Sequence, residues 1–257
     1  MPQIAAAGHS IAYQWLDGAR PGGGLPTLVF LHEGLGSIRQ WRDFPQRVAA
    51  ATGCRALVYD RYGYGQSDVL AEPRAGARFM HDGALKELPA LLDALQVENP
   101  VLVGHSDGAS IALIYAGSFP ARGVALMAPH VFVEEFNLQS IRRISAAFET
   151  SGLKAGLAKY HRDAAKTFRL WADAWLDPAF LEWNIEEYLP RIRCPVLAIQ
   201  GEADEYGTRA QLEAIARQVK GPCEVRMLPA CGHAPFKDKP EEVLQSVVSF
   251  IRKILTT

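Results

Sequence analysis

A serine and an aspartate stand side by side in Gly-His-Ser-Asp-Gly, residues 104–108. An apolar run leads straight into this segment and a helical pattern follows directly, so it is a turn from a strand to a helix. Such a turn strains its central residue and brings strand and helix so close that residues two positions away must be small. Gly104 and Gly108 flank Ser106 in this way, whereas a turn centred on Asp107 would place larger residues at both positions. The spacing predicts that Ser106 is a nucleophile.

A serine hydroxyl is a weak nucleophile at neutral pH and needs a base that a carboxylate orients. Where the serine lies in a strand-to-helix turn, the acid and then the histidine follow it along the chain. Asp204 comes at the end of an apolar run with G-x-x-D spacing, and His233 lies in the loop after the next run. Glu202 and Glu205 are rivals for the acid but fit that spacing less well. The order predicts a catalytic triad of the serine, His233 and Asp204.

Other residues that could transfer protons or bind metals are given no role. We interpret His9, His81 and His130 as structural or exposed. His105 lies within the strand-to-helix turn, and we expect it to pack there. The four cysteines show no C-x-x-C spacing and are interpreted as free thiols: Cys54, Cys194, Cys223 and Cys231. We therefore expect neither a metal site nor a cofactor.

The residues that could do chemistry follow apolar runs of strand length. These runs occupy residues 27–32, 54–60, 100–106, 122–129, 195–201 and 223–229, and helical patterns lie between them. Strands that alternate with helices predict βαβ units and a mostly parallel, doubly wound sheet, whose active site assembles at the carboxyl ends of the strands. A Pro-Gly-Gly-Gly stretch at residues 21–24 predicts a turn before the first long strand.

Residues 131–190 interrupt the alternation, since they contain helical periodicity and no strand candidate. Ile141, Ile144 and Phe148 share one helical face, and a second face carries Trp171 and Trp175. We interpret this segment as a helical cap inserted into a core made of residues 1–130 and 191–257.

The bulk composition narrows the function classes. The chain has 257 residues, 49% of them hydrophobic, and a formal net charge of -1. This balance gives no general attraction to nucleic acid or to an anionic membrane, so we expect a small-molecule substrate. No apolar stretch approaches the roughly 20 residues of a membrane span, and the first residues lack the features of a signal peptide. A cytoplasmic location is expected, and the oligomeric state stays open.

Together these motifs resemble the α/β-hydrolase superfamily over nearly the whole chain. FLHEGLGS is similar to the family's oxyanion loop, DRYGYGQSD to its D-x-R-G-x-G-x-S segment, and GHSDG, GEAD and CGHAPF to its triad motifs. The resemblance implies a mostly parallel eight-stranded sheet flanked by helices, and an acyl-enzyme formed on Ser106. It also implies an oxyanion hole made of the backbone N–H groups of Asp107 and Gly34. Glu33 stands where most relatives have glycine, and we expect its carboxylate to pair with Arg39 or Arg61.

The aspartate after the serine is the second departure from the family pattern. A Ser-Asp-Gly sequence resembles esterases of the valacyclovir-hydrolase type, in which this aspartate can face the amino group of an amino-acid ester. Alternatively, the carboxylate of Asp107 turns to the N-terminus of the following helix, where negative charge is stabilised by roughly 0.3–1 kcal/mol. We favour the helix-terminal position.

These observations favour a serine hydrolase of small carboxylic esters or lactones, with Trp171, Trp175 and His161 lining the substrate pocket. A carbon–carbon bond hydrolase of aromatic degradation would use a similar triad and cap, and an amino-acid ester hydrolase would use Asp107. A ligand receptor built on a hydrolase fold is the alternative outside enzymes. Epoxide hydrolases and haloalkane dehalogenases need an aspartate at the turn, which Ser106 argues against.

Overall fold

The computed structural model describes residues 1–18, 24–71 and 78–256. The turn predicted at residues 21–24 lies, apart from Gly24, outside the described residues. Eight strands form one sheet in the order β1-β2-β4-β3-β5-β6-β7-β8. Their bounds are β1 Gln3–Ala6, β2 His9–Leu16, β3 Leu28–Leu31, β4 Ala56–Tyr59, β5 Val101–His105, β6 Gly123–Met127, β7 Val196–Gly201 and β8 Cys223–Leu228.

The pairs β1–β2 and β2–β4 are antiparallel, and the other pairs of this sheet are parallel. The predicted mostly parallel eight-stranded sheet is confirmed. Parallel strands covered on both faces are apolar at successive positions. In β3, Val29 and Leu31 pack into one core cluster and Leu28 and Phe30 into the cluster on the opposite face.

Helices cover both faces of the sheet. Their bounds are α1 Phe44–Thr52, α2 Phe79–Asp82, α3 Leu88–Ala94, α4 Asp107–Ala116, α5 Glu135–Ala147, α6 Leu153–Leu157, α7 Ala164–Leu176, α8 Arg209–Gln218, α9 Pro235–Asp238 and α10 Pro240–Leu255. The helical pattern between the apolar runs at residues 27–32 and 54–60 is interrupted, because a short 3₁₀ helix, Ile38–Trp41, precedes α1. Arg42 between them has a φ of 55°, which lies outside the range of a right-handed helix.

The segment between β6 and β7 is helical. It contains α5, α6 and α7, and one isolated antiparallel bridge joins Phe132 to Asn184. Aromatic contacts stabilise this segment internally: the rings of Phe148 and Phe168 stack with centroids 3.9 Å apart. A separate cap domain over residues 131–190 stays a prediction, but the helices place two of its tryptophans beside Ser106, as described below.

Candidate active site

Ser106 occupies a sharp turn between the end of β5 and the start of α4. Its φ of 54° and ψ of -122° are strained values that an L-residue rarely adopts. The flanking glycines make this turn possible because the backbones approach closely. A Cβ on Gly104 would lie 2.6 Å from the Cα of Ala109, and a Cβ on Gly108 would lie 2.1 Å from the carbonyl oxygen of Leu31.

We expect Gly108→Ala to destabilise the fold, because the added methyl group meets backbone atoms that cannot move aside. The free energy of unfolding should fall by about 3 kcal/mol or more, measured by urea denaturation. Gly156→Ala in α6 is the matched control, since a Cβ there meets nothing within 4 Å. It should leave stability unchanged or raise it by up to about 1 kcal/mol. Equal stability of the two variants would contradict this account of the turn.

Three side chains form a hydrogen-bonded relay at the carboxyl ends of the strands. Nε2 of His233 lies 2.9 Å from Oγ of Ser106, and Nδ1 of His233 lies 2.8 Å from Oδ1 of Asp204. The Asp204 carboxylate also accepts hydrogen bonds from the backbone N–H of Tyr206 at 2.8 Å and from Nε2 of Gln200 at 3.1 Å. The structure thus brings together the three residues predicted as a triad, and places Asp204 rather than its rivals against the imidazole.

The charges in this relay set its protonation states. Burial alone would raise the pKa of Asp204, but the charge and hydrogen bond of His233 outweigh it and lower that pKa to about 2. Burial opposes the protonated form of His233, yet the Asp204 carboxylate raises the pKa of the imidazole above its usual value. An ionised Asp204 accepts the Nδ1–H, so the Nε2 lone pair of neutral His233 faces the Ser106 hydroxyl. This is the arrangement that general-base activation of a serine requires.

A cavity of about 140 Å³ opens beside Ser106. Its lining side chains come from the oxyanion loop, the turn, the β6–α5 connection, α5, α7 and the β7–α8 and β8–α9 loops. The lining residues are Glu33, Gly34, Leu35, Ser106, Asp107, His130, Asn137, Ile141, Ile144, Trp171, Trp175, Tyr206 and His233. Trp171 and Trp175 therefore lie where the sequence analysis placed them.

His161 does not belong to the described lining of this cavity, and its predicted position there is wrong. Its Nδ1 accepts a hydrogen bond from the backbone N–H of Gly65 at 2.9 Å, and its Nε2 lies 3.0 Å from the carbonyl oxygen of Leu35. Since an imidazole whose Nδ1 accepts must carry its proton on Nε2, that nitrogen donates to Leu35. Both ring nitrogens are used, so His161 ties the α6–α7 connection to the loop that follows β3.

The backbone N–H groups of Gly34 and Asp107 have no hydrogen-bond partner among the described residues. Asp107 is the first residue of α4, where backbone N–H groups lack intrahelical acceptors. Buried His32 shapes the loop after β3, which carries Gly34. Its Nε2 accepts a hydrogen bond from the backbone N–H of Arg61 at 3.0 Å, and its Nδ1 lies 2.8 Å from the carbonyl oxygen of Glu33. Two free donors beside one nucleophile can stabilise a negative oxygen.

The Glu33 carboxylate does not pair with either arginine expected from the sequence. Its oxygens lie 3.4 Å from Nδ1 of His105 and 3.5 Å from Nζ of Lys237. Burial alone would raise the pKa of Glu33, but His105 and Lys237 hold it well below its usual value. Arg61 instead donates to the Glu33 carbonyl oxygen at 2.9 Å. The correction reflects packing: β5, the oxyanion loop and α9 meet here, so Glu33 lies nearest to partners that are remote in sequence.

Arg39, the other expected partner, donates to the carbonyl oxygen of Lys159 at 2.9 Å. His105 bridges Glu33 to the loop of the predicted base, since its Nε2 lies 2.7 Å from the backbone carbonyl oxygen of His233. Because a carbonyl oxygen only accepts, this Nε2 carries a proton. Glu33 and His105 therefore connect the oxyanion loop to the histidine of the relay.

The Asp107 carboxylate turns toward α7 rather than toward the N-terminus of α4, which corrects the favoured interpretation. Its Oδ1 accepts a hydrogen bond from Nε1 of Trp175 at 3.3 Å, and its Oδ2 lies 3.9 Å from the guanidinium of Arg61. Burial raises the pKa of the Asp107 carboxyl, and the charge of Arg61 opposes that shift. Arg61 is itself buried and lies over the Tyr64 ring, 4.4 Å from its centroid.

Sequence reasoning missed two polar residues on the cavity wall. Asn137 precedes Ile141 and Ile144 by four and seven positions, so the predicted apolar face of α5 could have been extended to it. His130 was interpreted as structural or exposed, but it is buried and its ring centroid lies 5.8 Å from that of His233. No local pattern distinguishes such a residue, because its position depends on how β6 and β7 pair.

Neither a cluster of metal ligands nor a membrane-spanning helix occurs in the part of the chain that the structure describes. Across residues 1–18, 24–71 and 78–256, His, Cys, Asp and Glu side chains form no group of three that could hold a metal ion. In the same ranges, no helix combines the length and the apolarity that crossing a membrane requires.

Known proteins match this chain over most of its length. The alpha/beta hydrolase family profile matches residues 28–246. The dihydrolipoyllysine-residue acetyltransferase component of the acetoin cleaving system of Pseudomonas putida is 28% identical, over 98% of this chain and 70% of that protein. The serine hydrolase BPHL of Mus musculus is 30% identical, over 85% of this chain and 75% of the BPHL chain.

Among solved structures, the enol-lactonase from Burkholderia xenovorans superposes with a TM-score of 0.73 at 19% identity, covering 97% of this chain and 99% of that one. At this identity the likeness concerns the fold. The matched profile spans β3 to β8, the turn at Ser106 and the loop that carries His233. The chain belongs to the alpha/beta hydrolase family.

Proposed function

We propose that this protein is a serine hydrolase that cleaves a small carboxylic ester or lactone through an acyl-enzyme. One observation carries the proposal: an unbroken relay from Asp204 through His233 ends on the hydroxyl of Ser106, which lines a cavity beside two free backbone N–H groups. Nucleophile, base, orienting acid and oxyanion donors are the parts that acyl transfer needs.

The proposed reaction has two halves. Nε2 of His233 takes the proton of Ser106 while Oγ attacks the substrate carbonyl carbon, and the N–H groups of Asp107 and Gly34 hold the resulting oxyanion. Collapse breaks the bond to the alcohol oxygen, which receives the proton from His233. A water molecule, deprotonated by the same nitrogen, then attacks the acyl carbon, and the acid leaves as Ser106 regains its proton. With a lactone the released alcohol stays attached to the acid.

The size of the cavity favours a short acyl group. A cavity of about 140 Å³ compares with the engineered cavity of about 150 Å³ that binds benzene. About six non-hydrogen atoms therefore fit without rearrangement of Trp171 or Trp175, whereas a long alkyl chain needs a different path.

Charge separates the alternative substrates. A ring-fission dienoate, the substrate of a carbon–carbon bond hydrolase, carries a carboxylate, but Glu33 and Asp107 line the cavity and no lysine or arginine does among the described residues. An amino-acid ester would place its ammonium group against Asp107. Arg61, 3.9 Å away, already offsets that carboxylate, so the attraction is reduced.

A panel of substrates tests the proposal on the unmodified protein. We expect p-nitrophenyl butyrate to be hydrolysed with kcat/KM at least about 10-fold above that of the decanoate, because of the cavity size. The p-nitrophenyl ester of alanine should be slower than the butyrate, and a ring-fission dienoate should give no turnover. Faster cleavage of the dienoate would support the carbon–carbon hydrolase. Tight binding of one panel member without turnover would support a ligand receptor.

A further inference from the structure

Five buried polar atoms of residues that line the cavity have no hydrogen-bond partner among the described residues. They are Oδ2 of Asp107, Nδ1 of His130, Oδ1 and Nδ2 of Asn137, and Nε1 of Trp171. Native proteins pair the great majority of their buried polar groups, so each exception needs an explanation. The concentration of exceptions at one cavity beside Ser106 indicates a wall built to bind a polar group.

Asn137 contributes both atoms of one amide and is 1% exposed. It lies in the first turns of α5, on the helical face that also presents Ile141 and Ile144 to the cavity. One turn along, Oγ of Ser140 donates to the carbonyl oxygen of Glu205 at 2.6 Å, which holds α5 against the loop of Asp204. The helical backbone at Asn137 is thus held against the loop of Asp204, and its amide offers a donor and an acceptor together.

The surroundings of this amide select against charge. The carboxylates of Glu33 and Asp107 line the same cavity, and Lys237 and Arg61 lie 3.5 Å and 3.9 Å from them. These cations offset both carboxylates, so neither is left unpaired to attract a charged group. Burial lowers the pKa of His130 to about 3, so its ring is neutral near pH 7 and supplies no positive charge. A neutral group that both donates and accepts, a hydroxyl or a carboxamide, matches what Asn137 presents.

We propose that Asn137 is a specificity-determining residue that binds an uncharged hydroxyl or carboxamide group on the acyl part of the substrate. The inference rests on the proposed function, because it places the acyl group in the cavity beside Ser106. The apolar wall of Ile141, Ile144 and Trp171 then packs against the carbon chain. The substrate class is a short ester or lactone of a neutral, hydrogen-bonding acid.

Matched p-nitrophenyl esters test this assignment. The 3-hydroxybutanoate and the 3-methylbutanoate differ only by a hydroxyl in place of a methyl group. The unmodified protein should have a kcat/KM for the hydroxy ester at least about 10-fold higher, because the methyl group leaves the amide unpaired. A matched 3-carbamoylpropanoate and 4-methylpentanoate pair distinguishes carboxamide from hydroxyl recognition. Preference for the polar member of either pair supports the assignment.

Two variants separate recognition from packing. In Asn137→Leu, the kcat/KM values of the polar and the apolar ester of each pair should differ by no more than about 3-fold. Ile144→Val changes the same helical face and should keep the preference for the polar ester. Asn137→Leu should also raise Tm by about 2–4 °C, since it removes a buried unpaired amide. A structural role for Asn137 predicts a lower Tm instead.

Failure of this inference and failure of the proposed function look different. Equal hydrolysis of both members of both pairs by the unmodified protein overturns the role of Asn137 and leaves the hydrolase intact. A preference that survives Asn137→Leu, or a lower Tm in that variant, overturns it as well. If the protein hydrolyses none of the four esters nor p-nitrophenyl butyrate, the proposed function itself is wrong, and this inference falls with it.

Discussion

Ser106→Ala is expected to lower kcat for p-nitrophenyl butyrate by about a million-fold, because it removes the hydroxyl that His233 can activate. The relay from His233 ends on Oγ of Ser106, 2.9 Å from Nε2, and the substitution removes that atom alone. A residual rate above that in water should persist, since the free N–H groups of Gly34 and Asp107 still stabilise an oxyanion. Stopped-flow release of p-nitrophenol measures the effect, and the initial burst from the acyl-enzyme should vanish.

Ser118→Ala is the matched control, because Ser118 is exposed just beyond the end of α4. It should keep both the burst and the steady-state rate. A fluorophosphonate probe should label the unmodified protein and the control variant, but not Ser106→Ala. Undiminished labelling in Ser106→Ala, or a burst that persists there, would show that another residue is the nucleophile.

Asp204→Asn is expected to reduce kcat by about 10⁴-fold while the fold is retained. The ionised Asp204 accepts the Nδ1–H of His233 at 2.8 Å and so keeps the Nε2 lone pair directed at Ser106. An asparagine can donate to Nδ1 instead, which favours the tautomer with the proton on Nε2 and leaves no base beside the hydroxyl. Steady-state kinetics on the same ester measures the loss.

The pH profile of this variant provides a second readout. His233 acts as a base only when neutral, so kcat/KM falls as the pH decreases through the pKa of its imidazole. Asp204 raises that pKa above the usual value, and its removal should move the acid limb of the profile to lower pH. Glu202→Gln is the control, since Glu202 is an exposed carboxylate two residues away. A larger loss in Glu202→Gln than in Asp204→Asn would reassign the acid.

Much of the fold and of the relay could be read from local patterns. The six apolar runs predicted strands because a parallel strand covered on both faces is apolar at most of its positions. The glycines around Ser106 predicted the strained turn, because only residues without a side chain fit at those positions. A Cβ added to either glycine would lie 2.1–2.6 Å from backbone atoms. Strand ends and chain order then selected Asp204 and His233, which the structure brings into hydrogen-bonding distance of each other and of the serine.

The sequence-based predictions that the structure corrects concern side chains whose partners are remote in sequence. His161 was expected in the cavity but binds Gly65 and Leu35, which lie on loops after β4 and β3. Glu33 was expected beside an arginine but meets His105 and Lys237. Periodicity specifies which face of an element is buried, and it carries no information about which loop covers that face.

The sequence by itself therefore determined the six parallel strands β3 to β8, the turn at Ser106 and the order of the three relay residues, because local backbone sterics and apolar periodicity control them. Only the tertiary structure decided what surrounds the serine. The orientation of the Asp107 carboxylate toward Trp175 and Arg61, and the unpaired amide of Asn137 at the cavity, depend on how α5 and α7 pack over the sheet. Contacts between such separated segments follow from the packing of the whole chain, so no short stretch of sequence contains them.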